Sequence, residues 1–266
     1  MQVKAKIKSL VLISLILTQG ISAMALQNQV PDAPMVQAAN TFQTGHQRLT
    51  NSWLQSENPA GLSLAGVPDA GNTLFSWDVL QGSFYRPQEA EAMRRFGFFS
   101  ERYQSLKRLR FRGNFAFQTI NEDNRQWSNV NDALNGNPYV LASERGGDWK
   151  RQFYQLGFGA STDKLLNLLF FGIDVNYIVQ SGARQNDPRP LNNANLLEVK
   201  PGFIFPLGNR SQIGIHGFYS NQNEEISITV SNTDEQQRWY RIRGLGEYRT
   251  GQAIGLTRAY NGSTIG

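Results

Sequence analysis

Leu109-Arg110-Phe111-Arg112-Gly113-Asn114-Phe115-Ala116-Phe117-Gln118 alternates apolar and polar residues along its length. At the two-residue period of a strand, Leu109, Phe111, Phe115 and Phe117 share one face, and Arg110, Arg112, Asn114 and Gln118 share the other. Similar segments flank it. Tyr154, Leu156, Phe158 and Ala160 oppose Gln155, Gly157, Gly159 and Ser161; Phe171, Ile173, Val175, Tyr177 and Val179 oppose Gly172, Asp174, Asn176 and Gln180. A soluble sandwich buries an apolar face, yet the polar faces here are the ones that carry glycines and opposed charges. The pattern predicts an all-β chain, an antiparallel transmembrane β-barrel with lipid outside and a polar lumen inside.

The N-terminus reads as a secretion signal. Lys4, Lys6 and Lys8 precede the apolar run Leu10–Leu17, and Ala23-Met24-Ala25 supplies a small-x-small cleavage pattern, so the mature chain is expected to begin at Leu26. That run is well short of the ~20 residues of a membrane helix. The longest later apolar stretch, Leu165–Ile173, contains Asn167 and Gly172, so a spanning chain has only the closed barrel open to it. The competing reading is a soluble periplasmic or secreted β-protein. The chain has 26 basic and 21 acidic residues, and without the three signal lysines the excess falls from +5 to +2, which argues against a nucleic-acid partner. With no cysteine there is no lipoprotein anchor, disulfide or thiolate metal ligand.

The expected organisation is a signal at 1–25, a periplasmic lead-in or plug at 26–72, helical only over His46–Leu54, and barrel strands with long outer loops over 73–266. Strands are expected at Leu74–Tyr85, Met93–Tyr103, Leu106–Thr119, Trp149–Ala160, Leu168–Val179, Leu196–Phe205 and Gln212–Tyr219, with one or two more between Ile226 and Leu256. The long polar connections Ile120–Asp148 and Gln180–Asn195 alternate with the short turns Ser161–Lys164 and Leu207–Arg210, as in barrels whose outer loops are long and periplasmic turns short. Trp149, Tyr154, Tyr177, Tyr219, Trp239 and Tyr240 are expected as girdle aromatics. A count of seven strands by Tyr219, and an ending without a terminal aromatic, predict the incomplete N-terminal part of a larger barrel.

Two motifs, Trp53–Leu62 (WLQSENPAGL) and Ser181–Asn192 (SGARQNDPRPLN), together resemble an uncharacterised family of Bacteroidota outer-membrane β-barrel proteins, as do Gly244–Tyr248 and Ala259–Gly262. The resemblance implies location and architecture, and no activity. Asn58-Pro59-Ala60-Gly61-Leu62 is also similar to the N-terminal motif of long-chain fatty-acid channels, although Pro and Gly alone account for a helix end there.

The candidate lumenal charges are Arg108, Arg110, Arg112, Asp174, Glu198 and Lys200. Read as a lattice they hold the wall together; read as an electropositive lining they favour anionic solutes or carboxylate-bearing lipids. His46 and His216 are too few for a metal cluster, and a pairing of His216 with Ser220 lacks the third group a hydrolase needs. The sequence therefore predicts no enzyme, cofactor or metal. It predicts a channel or transport-related pore in contact with outer-membrane lipid, passing a small solute or hydrophobic molecule. The alternative is a structural or accessory protein that meets an outer-membrane protein partner through its loops.

Overall fold

The structure, a computed structural model, describes residues 51–131, 140–208, 211–231, 238–244, 247–252 and 255–266. The signal, His46 and the first part of the expected helix lie outside them. The chain is all-β and antiparallel. After a one-turn helix α1 (Ser52–Gln55) and a 3₁₀ turn (Pro59–Ser63) come β1 (Gly71–Gln81), β2 (Ala92–Leu106), β3 (Leu109–Arg125), β4 (Val140–Ala142), β5 (Gly147–Thr162) and β6 (Phe170–Arg184). They are followed by β7 (Arg189–Leu207), β8 (Ser211–His216), β9 (Tyr219–Thr229), β10 (Arg238–Gly244), β11 (Glu247–Gln252) and β12 (Leu256–Ile265).

Nine strands form one sheet in the order β1-β2-β3-β5-β6-β7-β9-β12, with β8 also on β7. β7 is long enough to pair β9 through Arg189–Val199 and β8 through Gly202–Leu207. Gly217 N donates to Pro201 O between them, so β8 and β9 run as one wall strand. Among the described residues β1 and β12 do not pair, and no closed barrel is present. A second sheet, β11-β10-β4, joins the β3–β5 connection to the β9–β12 connection.

Two expectations about connections need correction. Gln180–Asn195 is not a long loop: β6 runs to Arg184 and β7 starts at Arg189, because the ladder continues through Ser181↔Asn193 and Ala183↔Leu191. Polar residues on both faces disguised strand as loop. Among the described residues, the segments between Ile226 and Leu256 add no wall strands apart from the end of β9; β10 and β11 belong to the second sheet. The β2–β3 reversal takes only Lys107 and Arg108, since Leu106 pairs Leu109. That end of the sheet is the turn end, and the opposite end, which carries 126–131 and 140–146, is the loop end.

The two faces are inverted relative to a soluble sheet. On the convex face Trp77 is 66% exposed, Leu156 57% and Ile215 57%, while on the concave face Gln118 and Glu224 are 2% exposed. Cross-strand aromatic pairs tile the convex face, including Phe75–Phe98 at 5.1 Å, Phe117–Tyr154 at 5.0 Å and Phe171–Phe203 at 5.1 Å between ring centroids. The apolar band crosses the ladder obliquely. One transverse row of paired residues reads Phe75, Phe98, Phe117, Tyr154, Val179, Asn195, Asn223, Asn261, apolar at one side of the sheet and polar at the other. Its polar end is an amide ladder in which Asn223 Nδ2 donates to Asn195 Oδ1 (3.2 Å) and Asn261 Nδ2 to Asn223 Oδ1 (2.6 Å).

Candidate lumenal site and its two covers

The concave face is lined at mid-height by Phe99 and Glu101 from β2, Arg112 and Asn114 from β3, Gln155 from β5, Asp174 and Asn176 from β6, and Glu198 and Lys200 from β7, around a cleft of about 190 Å³. Alternation puts them there: each is the inward member of a two-residue repeat whose outward member belongs to the apolar band. Arg112 Nη2 meets Asp174 Oδ2 at 2.5 Å; Gln155 Nε2 donates to Asn176 Oδ1 at 2.8 Å, and Asn176 Nδ2 to Glu198 Oε2 at 3.3 Å. Asp174 and Lys200 are direct cross-strand partners. Four of the six candidate charges, Arg112, Asp174, Glu198 and Lys200, therefore converge. The arginine row does not extend past them. Arg108 is exposed in the β2–β3 turn and not on the strand face, because the chain reverses there, and Arg110 donates to Ser105 Oγ at the turn end. Three acids and two bases line the cleft, which is a lattice of mixed sign and not a positive stripe.

The turn end of this concave face is covered by the N-terminal motif. Asn58 caps the 3₁₀ turn, its Oδ1 accepting from Ala60 N at 3.0 Å, and its Nδ2 donates to Phe203 O and Ile215 O of β7 and β8, both at 3.0 Å. Ser161 Oγ donates to Ala60 O at 3.0 Å, and Lys200 Nζ reaches Glu57 at 3.3 Å. Glycine makes the approach possible. A Cβ on Gly172 would overlap Ala60 N, and one on Gly202 would overlap Asn58 Oδ1. A second cleft of about 320 Å³ runs between this segment and Arg112, Asp174 and Lys200.

The loop end is covered by the described parts of the β3–β5 connection, residues 126–131 and 140–146. A register shift between Glu122 and Arg125, with Asn124 at φ 51°, brings Arg125 onto the same face as Glu122, which strict alternation forbids. Glu122 then meets Arg125 at 3.1 Å and Arg151 at 2.6 Å, all three buried. Burial pushes the Glu122 carboxyl up, but Arg151 and Arg125 outweigh it and hold the group below the usual carboxylate range. These residues sit in the polar outer part of the strands, beyond the apolar band.

Trp149 is fully buried between the guanidinium carbons of Arg125 (5.3 Å) and Arg184 (6.0 Å). It is not a girdle aromatic: it has the inward parity of Arg151 and Gln155, and Tyr154 has the outward one. Val130 and Leu141 of the connection pack on Ile226 and Ile228 of β9. Neither the bulge nor this cluster was found by sequence reasoning; the parity of Trp149 was the available signal.

His216 and Ser220 share the concave face but stand four residues apart along the wall strand, roughly 13 Å at strand rise, so they do not form a hydrogen-bonded pair. Among the described residues no group of three or more His, Asp or Glu is placed to hold a metal ion, and no helix is long and apolar enough to cross a membrane.

The fold and site define a curved antiparallel wall with an apolar outer band and a polar, covered inner face. The chain belongs to a family of unknown function (DUF6850), whose model matches residues 59–266. No curated protein and no solved structure matches it.

Proposed function

We propose that this chain forms the wall of an outer-membrane β-barrel and serves a covered passage for small polar solutes. The observation that carries the reading is the oblique apolar band on the convex face, set against a concave face of charges and amides. From Trp77 in β1 to Ile215 in β8 the centre of the band shifts by about ten residues over six strand-to-strand steps, which at ~3.3 Å per residue and ~4.8 Å per strand is an inclination of roughly 45–50°. Strands of membrane barrels tilt by about 35–45° so that one horizontal slab of lipid meets a different register on each strand. A soluble sheet has no reason to climb its apolar residues in this way.

The mixed lining of Arg112, Asp174, Glu198 and Lys200 supports a small polar or zwitterionic cargo over a hydrophobic one, because an apolar molecule there would leave these charges unsolvated. The Asn58–Ala60 segment supports a passage that is closed at rest. The test is reconstitution of the full chain in liposomes. The expected result is carbonate-resistant association with low conductance, rising when Asn58→Ala loosens the cover. A chain extracted quantitatively by carbonate sinks the membrane reading, and unchanged conductance in Asn58→Ala sinks the passage.

A second reading, an accessory protein that binds a partner at the loop end, has its own support. β11 presents an exposed strand at the edge of the small sheet, with Tyr248 58% exposed. Full-length membrane association without conductance in any variant favours this reading.

A further inference from the structure

Arg184 differs from the other buried arginines of the loop end. Arg125 and Arg151 share Glu122. Arg184, 2% exposed, donates from Nη2 to Ser143 Oγ at 2.7 Å and to Pro188 O at 2.8 Å, both neutral groups. Its Nε and Nη1 are buried without a hydrogen-bond partner. Its charged neighbours are cations: burial first, then Arg125 and Arg145, push its guanidinium down to about 10, so at neutral pH it remains a positive charge.

Two further buried donors near it lack an acceptor. Trp149, its direct cross-strand partner, has a buried and unpartnered Nε1–H, and Asn129 of the covering segment has an unpartnered Nδ2; Asn131, lying over Gly182, has both amide atoms unpartnered. Asn129 is linked to Arg184 through one hydroxyl, since Ser143 Oγ accepts from Arg184 and donates to Asn129 Oδ1 at 3.1 Å. Water would satisfy single N–H groups and leave the charge uncompensated; an acceptor-only anion answers both needs. The surroundings are tight. A Cβ on Gly147 would stand 2.7 Å from Arg184 Cδ and 2.9 Å from Asn186 Nδ2, which leaves no room for a bulky group.

We propose that Arg184, with Trp149 and the amide of Asn129, binds a small monovalent anion, either a halide or a carboxylate group, between the wall and the covering residues around Asn129 and Ser143. Arg184 and Trp149 belong to the wall, whereas Asn129 and Ser143 belong to the cover, so the anion ties one to the other. The inference rests on this buried cluster and stands apart from the membrane reading.

The experiment measures thermal unfolding of the full chain in detergent at constant ionic strength, in chloride, bromide, formate and the bulky anion gluconate. At tenfold excess over its dissociation constant, a bound anion raises the midpoint of a chain of this size by about 3–6 °C over gluconate. Stabilisation by halides points to a free ion as the source, and by formate alone to a carboxylate; either supports the site. In Arg184→Gln the difference between anions disappears. Arg184→Lys, which keeps the charge but loses the planar fork, raises the anion concentration needed for half the effect. Bromide-soaked crystals of the unaltered chain show an anomalous peak beside Arg184 if the halide is the ligand. Equal midpoints in all four anions overturn the proposal, as does an anion effect that survives in Arg184→Gln.

Discussion

At the turn end of the concave face Asn58 holds wall carbonyls, the wall's Ser161 holds Ala60 O, and glycines admit the segment; at the loop end buried arginines of the wall strands hold the cover, Arg125 through Ser128 and Val130 O, Arg151 through Asn131 O and Arg184 through Ser143. The first cover depends on shape, on neutral hydrogen bonds each contributing about 0.5–1.5 kcal/mol net, and on one solvent-exposed ion pair, Lys200 with Glu57, that adds little. The second depends on ions taken out of water, where losing one partner costs several times more. A cover that leaves during function is better served by the first kind. A fixed lid that keeps one geometry is better served by the second.

The sharpest way to break this contrast is Glu122→Gln. It removes the carboxylate that Arg125 and Arg151 share, and the expected loss is about 3–5 kcal/mol, read by chemical unfolding. Acid does the same reversibly. Glu122 has its pKa depressed in the folded chain, so its contribution is complete above the unfolded value of about 4.3 and is lost as pH falls through the lower folded value. Unfolding midpoints should drop below about pH 4 in the native chain more than in Glu122→Gln. Equal profiles would mean the loop end is held by apolar contacts such as Val130 on Ile228.

Gly172→Ala tests the other end. The added methyl collides with Ala60 N and with the Pro59 carbonyl carbon, both backbone atoms, so relief comes from displacing the segment. Overpacking of this kind costs about 1–3 kcal/mol. The expected signature is local: faster proteolysis within Trp53–Leu64 with the wall strands still protected. Global destabilisation with an intact cover would show that the segment is part of the wall's own core.

Much of the wall was legible because parity is a strong signal. The faces assigned from Leu109–Gln118 hold, with Phe115 and Phe117 outward and Arg112, Asn114 and Gln118 inward, as do those of β5 and β6. Strand identity failed where the apolar band ends. Gln180–Arg184 and Arg189–Asn195 are polar on both faces and still paired, since the ladder needs only backbone groups. Residue type places Trp149 in a girdle, whereas its parity, shared with Arg151 and Gln155, places it on the concave face, where it is fully buried. The Glu122/Arg125 pairing needed the register shift at Asn124, a one-residue change that no periodic reading anticipates. Arg108 was assigned to the strand because nothing in Lys107–Arg108 marks a two-residue reversal by composition. The convergence of Arg112, Asp174, Glu198 and Lys200 was visible as inward parity on three strands, but their mixed sign became meaningful only once the register aligned them.

Asn58→Ala should cost about 2–3 kcal/mol, less than Glu122→Gln and of the order of Gly172→Ala, because it removes a cap and two neutral hydrogen bonds and leaves no ion stranded. Asn58→Asp separates the two roles of the side chain. The carboxylate keeps the acceptor for Ala60 N but cannot donate to Phe203 O and Ile215 O, and it sets a negative charge against two carbonyls. If capping is what matters, the Asn58→Asp variant will behave like the native chain; if docking matters, it will release the segment at least as fully as alanine, and protection of Trp53–Leu64 from protease will fall in both. A half-exposed pair, Arg94 with Asp123 at 2.7 Å, sets the scale for no effect. Arg94→Ala should move stability by at most about 1 kcal/mol and leave both covers untouched, since solvent screens that pair. An Asn58→Ala loss no larger than the Arg94→Ala loss would mean that glycine shape alone seats the segment, and its amide contributes nothing measurable to the closure.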